Sequence, residues 1–129
     1  MQIIQRQLED VAVLELKGTV HCGDGDRELE AIIKDLTSRD CVRLVVNLRE
    51  VTHIDTMCLG VFIAAQVRSK RRRGGVNLLH TPQRIQHMLS IARIDQFLPT
   101  YATEEAAIRA LANGHVPGEH FTHRALVDS

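Results

Sequence analysis

The sequence predicts an α/β domain packed by four helices. Its mixed sheet of about four to five strands starts antiparallel and continues in parallel β-α-β units. Three observations carry this reading. Two strand-like runs at the start are separated only by Glu9-Asp10, as in a strand–turn–strand pair. The β-branched run Val42 to Leu48 (VRLVVNL) has the composition of a central strand. Around it, apolar residues switch to helical spacing and back again.

In chain order, Ile3 to Gln7 reads as a short strand. Val11 to Leu16 reads as a stronger one, apolar enough to lie inside a sheet, and Gly18 follows it. Leu29, Ile32, Ile33 and Leu36 fall at i, i+3, i+4 and i+7, one stripe of a first helix. Asp24 or Asp26 is the expected cap at its start, where an acid also complements the helix dipole. After the central strand, Thr52 to Thr56 is expected to be a loop. Leu59 to Arg71 reads as a second helix with Leu59, Phe62, Ile63 and Val67 on one side, stopped by Gly74-Gly75.

Val76 to His80 is the next strand. Pro82 suits the first turn of a third helix reaching to Ala92, with Ile85, Met88, Leu89 and Ala92 as its stripe. Phe97 to Tyr101 reads as a short edge segment. Thr103 to Ala112 reads as a last helix, with Thr103 as N-cap and Glu104 and Glu105 in its first turn. From Gly114 the periodicity is gone, so the expected organisation is a domain over 1–113 and a flexible tail over 114–129.

Composition narrows the function. A chain of 129 residues suits one domain with one core, and with no Trp, one Tyr and three Phe that core must be aliphatic. Sixteen basic residues balance sixteen acidic ones, so no global field draws the protein to nucleic acid or to an anionic membrane. The basic run at 68–73 lacks interleaved aromatics and ends a helix, where cations are favoured. It reads as a solvated helix end, with no direct nucleic-acid binding. Cys22, Cys41 and Cys58 are odd in number and lack CxxC spacing, which fits reduced thiols and a cytoplasmic location. The opening residues are polar, without the apolar core of a signal peptide. No run approaches the ~20 apolar residues of a membrane helix, so no membrane insertion is expected.

The strand VRLVVNL, the following REVTHIDT and the helix opening MCLGVFIAA resemble the signature of the STAS family, the fold of bacterial anti-sigma-factor antagonists. The core of the match is Asp55-Thr56-Met57-Cys58-Leu59-Gly60. It is supported by Gly74-Gly75-Val76 and by Met88-Leu89-Ser90-Ile91-Ala92, and the resemblance spans roughly residues 3–112. It implies that Thr56, directly after the signature Asp55, is a phosphate acceptor. The implied partner is an anti-sigma factor that is itself a serine/threonine kinase-like protein. The implied partner-binding residues are His21, His53, Asp55, Thr56, Met57 and Cys58, with no cofactor and no catalysis.

Three positions depart from the family pattern. Met57 replaces a second Ser/Thr and Cys58 a first Gly. Gly18-Thr19-Val20-His21 lacks the acid that the family carries at its kinase contact. These departures leave a second reading open, a non-switching scaffold or accessory STAS subunit of a stress-signalling or transporter complex.

Local physics bears on the same residues. Thr56 is expected at a helix N-cap, its hydroxyl bonding a free N–H of the first turn. A phosphate there would add about −1.5 to −2 charges, which a helix N-terminus tolerates. Thr56 as a cap alone is the simpler alternative. Cys58 reads as a small apolar filler, since no base is paired with it in sequence. The seven histidines form no HxH or HExxH pair, so no metal site is expected. Nor is there a phosphate-binding glycine loop or an acid–base pair, which places nucleotide or small-ligand binding third.

Overall fold

The computed structural model describes residues 1–23 and 27–112. Five strands form one sheet in the order β1-β2-β3-β4-β5. They are β1 Gln2–Leu8, β2 Val11–Val20, β3 Arg43–Ile54, β4 Gly75–Leu79 and β5 Thr100–Tyr101. The first two pair antiparallel across the turn at Glu9-Asp10, and every later neighbour is parallel. The helices are α1 Glu28–Ser38, α2 Thr56–Lys70, α3 Gln83–Ile91 and α4 Glu104–Ala112. The predicted class, element order and antiparallel start are those observed.

Alternation along the strands sorts the core into two layers, because successive side chains leave a strand on opposite faces. On one face Ala12, Leu14, Leu16, Leu44, Val46, Leu48, Val76 and Leu78 meet α1, α2 and α3 through Leu29, Ile33, Phe62, Ile85 and Leu89. On the other, Val11, Val13, Val45, Leu79 and Tyr101 are covered by Ala106, Ala107 and Leu111 of α4. Burial on both faces is why β2, β3 and β4 read as nearly continuous apolar runs.

Several boundaries differ from expectation. β3 does not stop at Leu48 but runs to Ile54, so most of the predicted loop at 52–56 is strand. Its far half pairs with an equally extended β2, through Gly18↔Val51 and Val20↔Ile54. Register shifts at Glu15/Lys17 and Gly18/Thr19 interrupt this pairing. Gly18 stands at φ +85°, a conformation that glycine adopts without a Cβ penalty. The polar residues Arg49, Glu50, Thr52 and His53 are exposed on this extension, which is why the stretch read as a loop.

Helix α1 is preceded by Arg27 as N-cap, with no side-chain cap bond. Asp24 and Asp26, the expected caps, lie outside the described residues, as does the tail proposed from Gly114. α2 starts at Thr56, three residues earlier than expected. On it Val67 is exposed, while Gln66 and Ser69 are buried beside Phe62. Ala92 lies past the end of α3 and is exposed, and only two residues of the predicted edge segment form β5. Thr103 does cap α4, its hydroxyl accepting from Ala106 N–H at 3.1 Å. Of the terminal arginines of α2, Arg72 is not merely solvated. It donates to Thr37 O at 2.9 Å and pairs with Asp40, tying α2 to the turn before β3.

Candidate functional site

The long β2 and β3 end side by side, and their ends deliver the site. Val20 closes β2 and His21-Cys22-Gly23 leaves it; Ile54 closes β3 and Asp55 turns directly into α2. Asp55 N–H donates to Val20 O at 3.2 Å, fixing the two exits against each other.

Asp55 is the N-cap of α2, with extended backbone (φ −90°, ψ 164°). Its Oδ1 accepts Cys58 N–H at 3.0 Å. Its Oδ2 accepts Cys22 N–H at 3.0 Å and Gly23 N–H at 3.3 Å. One carboxylate thus satisfies an orphan donor of the helix and two donors of the loop after β2. Partial burial pushes this carboxyl up, but the hydrogen bonds from Cys22, Cys58 and Gly23 outweigh it and hold its pKa below the ordinary aspartate value.

Thr56 is therefore not the cap, as expected from the sequence, but the first helical residue, and it is exposed. Both residues are good caps by type. The one in the extended conformation, with a carboxylate long enough to reach Cys58 N–H, takes the role. Among the described residues no hydrogen bond holds the Thr56 hydroxyl, which stands open at the positive end of the helix. Met57 beside it is 59% exposed. Cys58 is the opposite: fully buried in the main core, with Sγ 3.6 Å from Val20 O, and its thiol pushed up by burial. It packs as the apolar filler expected.

His21 is exposed, with Nδ1 3.8 Å from Asp55 Oδ2. His53 is exposed on β3, beside Thr19 in register. The sequence-predicted residues Asp55, Thr56, Met57 and His21 thus gather at one end of the sheet. Cys58 lies beneath them, and His53 stands on β3, two residues before Asp55. Sequence reasoning missed Cys22 and Gly23. Nothing local marks them, because their role is to offer backbone N–H groups to a residue of another element. It also missed that donor atoms of Cys22, Asp55 and Cys58 lie within 4.8 Å of one another, the one such group among the described residues.

Residues 2–107 match the STAS domain profile, most of the chain. This chain belongs to the STAS-domain family. Structures similar to this STAS domain include one from Thermotoga maritima described as an anti-sigma factor antagonist. It has 17% identity and a TM-score of 0.72, with 85% of this chain and 94% of that one covered. An anti-sigma factor antagonist from Mycobacterium paratuberculosis has 17% identity and a TM-score of 0.68, covering 86% and 93%. SpoIIAA of Bacillus, in its phosphorylated form, has 15% identity and a TM-score of 0.67, covering 84% and 97%. At such identities the likeness is one of fold. No curated protein matches this STAS domain in sequence. Among its described residues no helix is long and apolar enough to cross a membrane.

The Asp55 hub makes a stability prediction. Asparagine offers one acceptor where the carboxylate offers two, so Asp55→Asn can serve Cys58 N–H or the loop donors but not both. The expected loss is about 1.5 kcal/mol near neutral pH by urea denaturation. Because the folded pKa of Asp55 is depressed, its contribution is fully present above the unfolded value of about 4 and disappears as pH falls through the folded value. The gap between wild type and variant should therefore close on acidification. A gap that stays constant down to pH ~2 would mean that the charge of Asp55 is not what holds the loop.

Proposed function

We propose that this STAS domain is a regulatory binding module of the anti-sigma-factor antagonist type. Its partner is an anti-sigma factor with serine/threonine kinase-like activity, and Thr56 is the switch. It acts by binding in the cytoplasm and carries out no catalysis of its own. The observation that supports this most is the exposed Thr56 hydroxyl at the first position of α2, immediately after the capping Asp55, where the family pattern puts the acceptor.

Phosphate at that position meets the positive end of the helix dipole and the free N–H groups of the first turn, so the fold tolerates it. A partner docked over His21, His53, Thr56 and the exposed Met57 would meet about −1.5 to −2 new charges at the centre of the contact. Met57, unbranched and polarizable, suits such a contact. SpoIIAA, of similar fold, is known in both an unphosphorylated and a phosphorylated form.

The scaffold reading is favoured by one observation, the segment Gly18-Thr19-Val20-His21. There β2 runs to Val20 without the acid of the family's kinase contact. The two readings separate on Thr56. Protein recovered from its native cells should carry phosphate on Thr56, by intact mass and fragmentation, in amounts that change with stress. Thr56→Asp should weaken partner binding by at least roughly tenfold, about 1.4 kcal/mol, with Thr56→Ala close to wild type. Equal binding by both variants, with Thr56 never phosphorylated, would make this a constitutive scaffold.

A further inference from the structure

We propose that Cys22 and Cys58 form a reversible disulfide that links the loop after β2 to the first turn of α2. The two backbones are already held together, since Cys22 N–H and Cys58 N–H are bound, each at 3.0 Å, by the two oxygens of the single Asp55 carboxylate. The two sulfur atoms lie within 4.8 Å of each other in the reduced protein. The shared carboxylate ties both backbones to one group, and the bond forms when side-chain rotation brings the two sulfurs from within 4.8 Å to bonding distance. Cys22 packs against the same apolar cluster that contains Cys58. A neutral disulfide suits that setting better than a metal–thiolate centre. A metal would also compete for the Asp55 oxygens, which the backbone donors of the site already occupy.

Exposure orders the steps. Cys22 is half-buried and Cys58 fully buried, so a low-molecular-weight disulfide reaches Cys22 first. The Cys22 thiolate attacks one sulfur of the oxidant, the oxidant's S–S bond breaks, and one thiol departs carrying the proton. Cys58 then attacks Cys22 sulfur as its thiolate, a slow step because burial favours the protonated thiol. The mixed disulfide breaks, and the second thiol departs with the Cys58 proton. Two protein thiols are oxidised, one small disulfide is reduced to two thiols, and the Cys22–Cys58 bond forms. The product fixes the loop carrying His21 and Gly23 directly behind Thr56 and Met57. The inference rests on the thiol geometry and does not require Thr56 to be phosphorylated.

The full chain, reduced and freed of metal by chelator, is treated with glutathione disulfide and mapped by non-reducing peptide mass spectrometry. The expected result is a linked pair of peptides containing Cys22 and Cys58, loss of both free thiols, and complete recovery by a reducing agent. Half-buried Cys41 should remain outside the link. Cys58→Ala should instead hold a stable glutathione adduct on Cys22, and Cys22→Ser should leave Cys58 unmodified in the folded protein. Glutathione adducts on Cys22 that persist in the wild type, a link involving Cys41, or modification of Cys58 before Cys22 would each overturn the proposal.

Discussion

Alanine at position 74 should be the most damaging single-methyl addition in the domain, costing about 3 kcal/mol or more. The turn from α2 into β4 brings Gly74 against the start of β3. A Cβ built there lies 2.0 Å from Val42 O and 2.7 Å from Val42 C. The clash is with backbone, so no side-chain rotation relieves it. The two segments are also tied on either side of the contact: Gly74 N–H donates to Ser69 O at 2.7 Å, and Gly75 N–H to Val42 O at 2.9 Å. Moving Gly74 away breaks these bonds and draws β4 off β3. By urea denaturation Gly74→Ala should show a lower midpoint at similar slope, or, if the domain no longer closes, no cooperative transition. A loss under ~1 kcal/mol would mean that the turn relaxes freely and that Gly74 is not required by close approach.

The glycine pair at 74–75 was legible in the sequence as a helix stop. What demands glycine was not, because the obstructing carbonyl belongs to Val42, on another element. The same divide runs through the chain. β2, β3 and β4 were found from apolar β-branched runs, and α1 and α3 from stripes, because burial imposes a local period. The far half of β3 was missed because one long neighbour, β2, holds it there by pairing. Its Lys17 lies 3.7 Å from Glu50, and this half has exposed polar residues rather than a buried run. At the site, residue types singled out Asp55 and Thr56. The choice of which one caps α2 depends on backbone conformation, which the residue letters leave open. The approach of Cys22 to Cys58 comes from long-range pairing of β2 with β3 and left no local trace.

Gln66→Leu should be the second large effect, a loss of about 3 kcal/mol despite nearly equal volume and a gain in hydrophobicity. Sequence patterning placed Val67 on the inner face of α2, yet Val67 is 37% exposed and Gln66 only 1%. The reason is a set of backbone groups that no ladder satisfies. Gln66 Nε2 donates to Val76 O at 3.0 Å and to Phe97 O at 2.8 Å, and its Oε1 accepts from Val76 N–H at 2.7 Å. One buried amide therefore joins α2, β4 and the segment between α3 and β5. Leucine would leave all three backbone groups desolvated and unpaired. For a domain of this size the loss should lower Tm by on the order of 10–20 °C, read by calorimetry. A variant as stable as wild type would mean that water or repacking replaces the amide. Gln66→Glu, which keeps the acceptor but aims a carboxylate at two carbonyl oxygens, should be worse still at neutral pH.

The strand order also gives the sheet two unequal borders. At one, β5 is only two residues long, too short to template another chain. At the other, β1 runs for seven residues, with Gln2, Gln5, Arg6 and Gln7 among its side chains. The connections between the inner strands cross over the faces and leave β1 as the outer antiparallel strand. Growth of the sheet by an added strand, whether in crystallisation, misassembly or a designed fusion, is thus polarised toward the N-terminal margin. A proline introduced on the outward N–H side of β1 would be the economical guard against it.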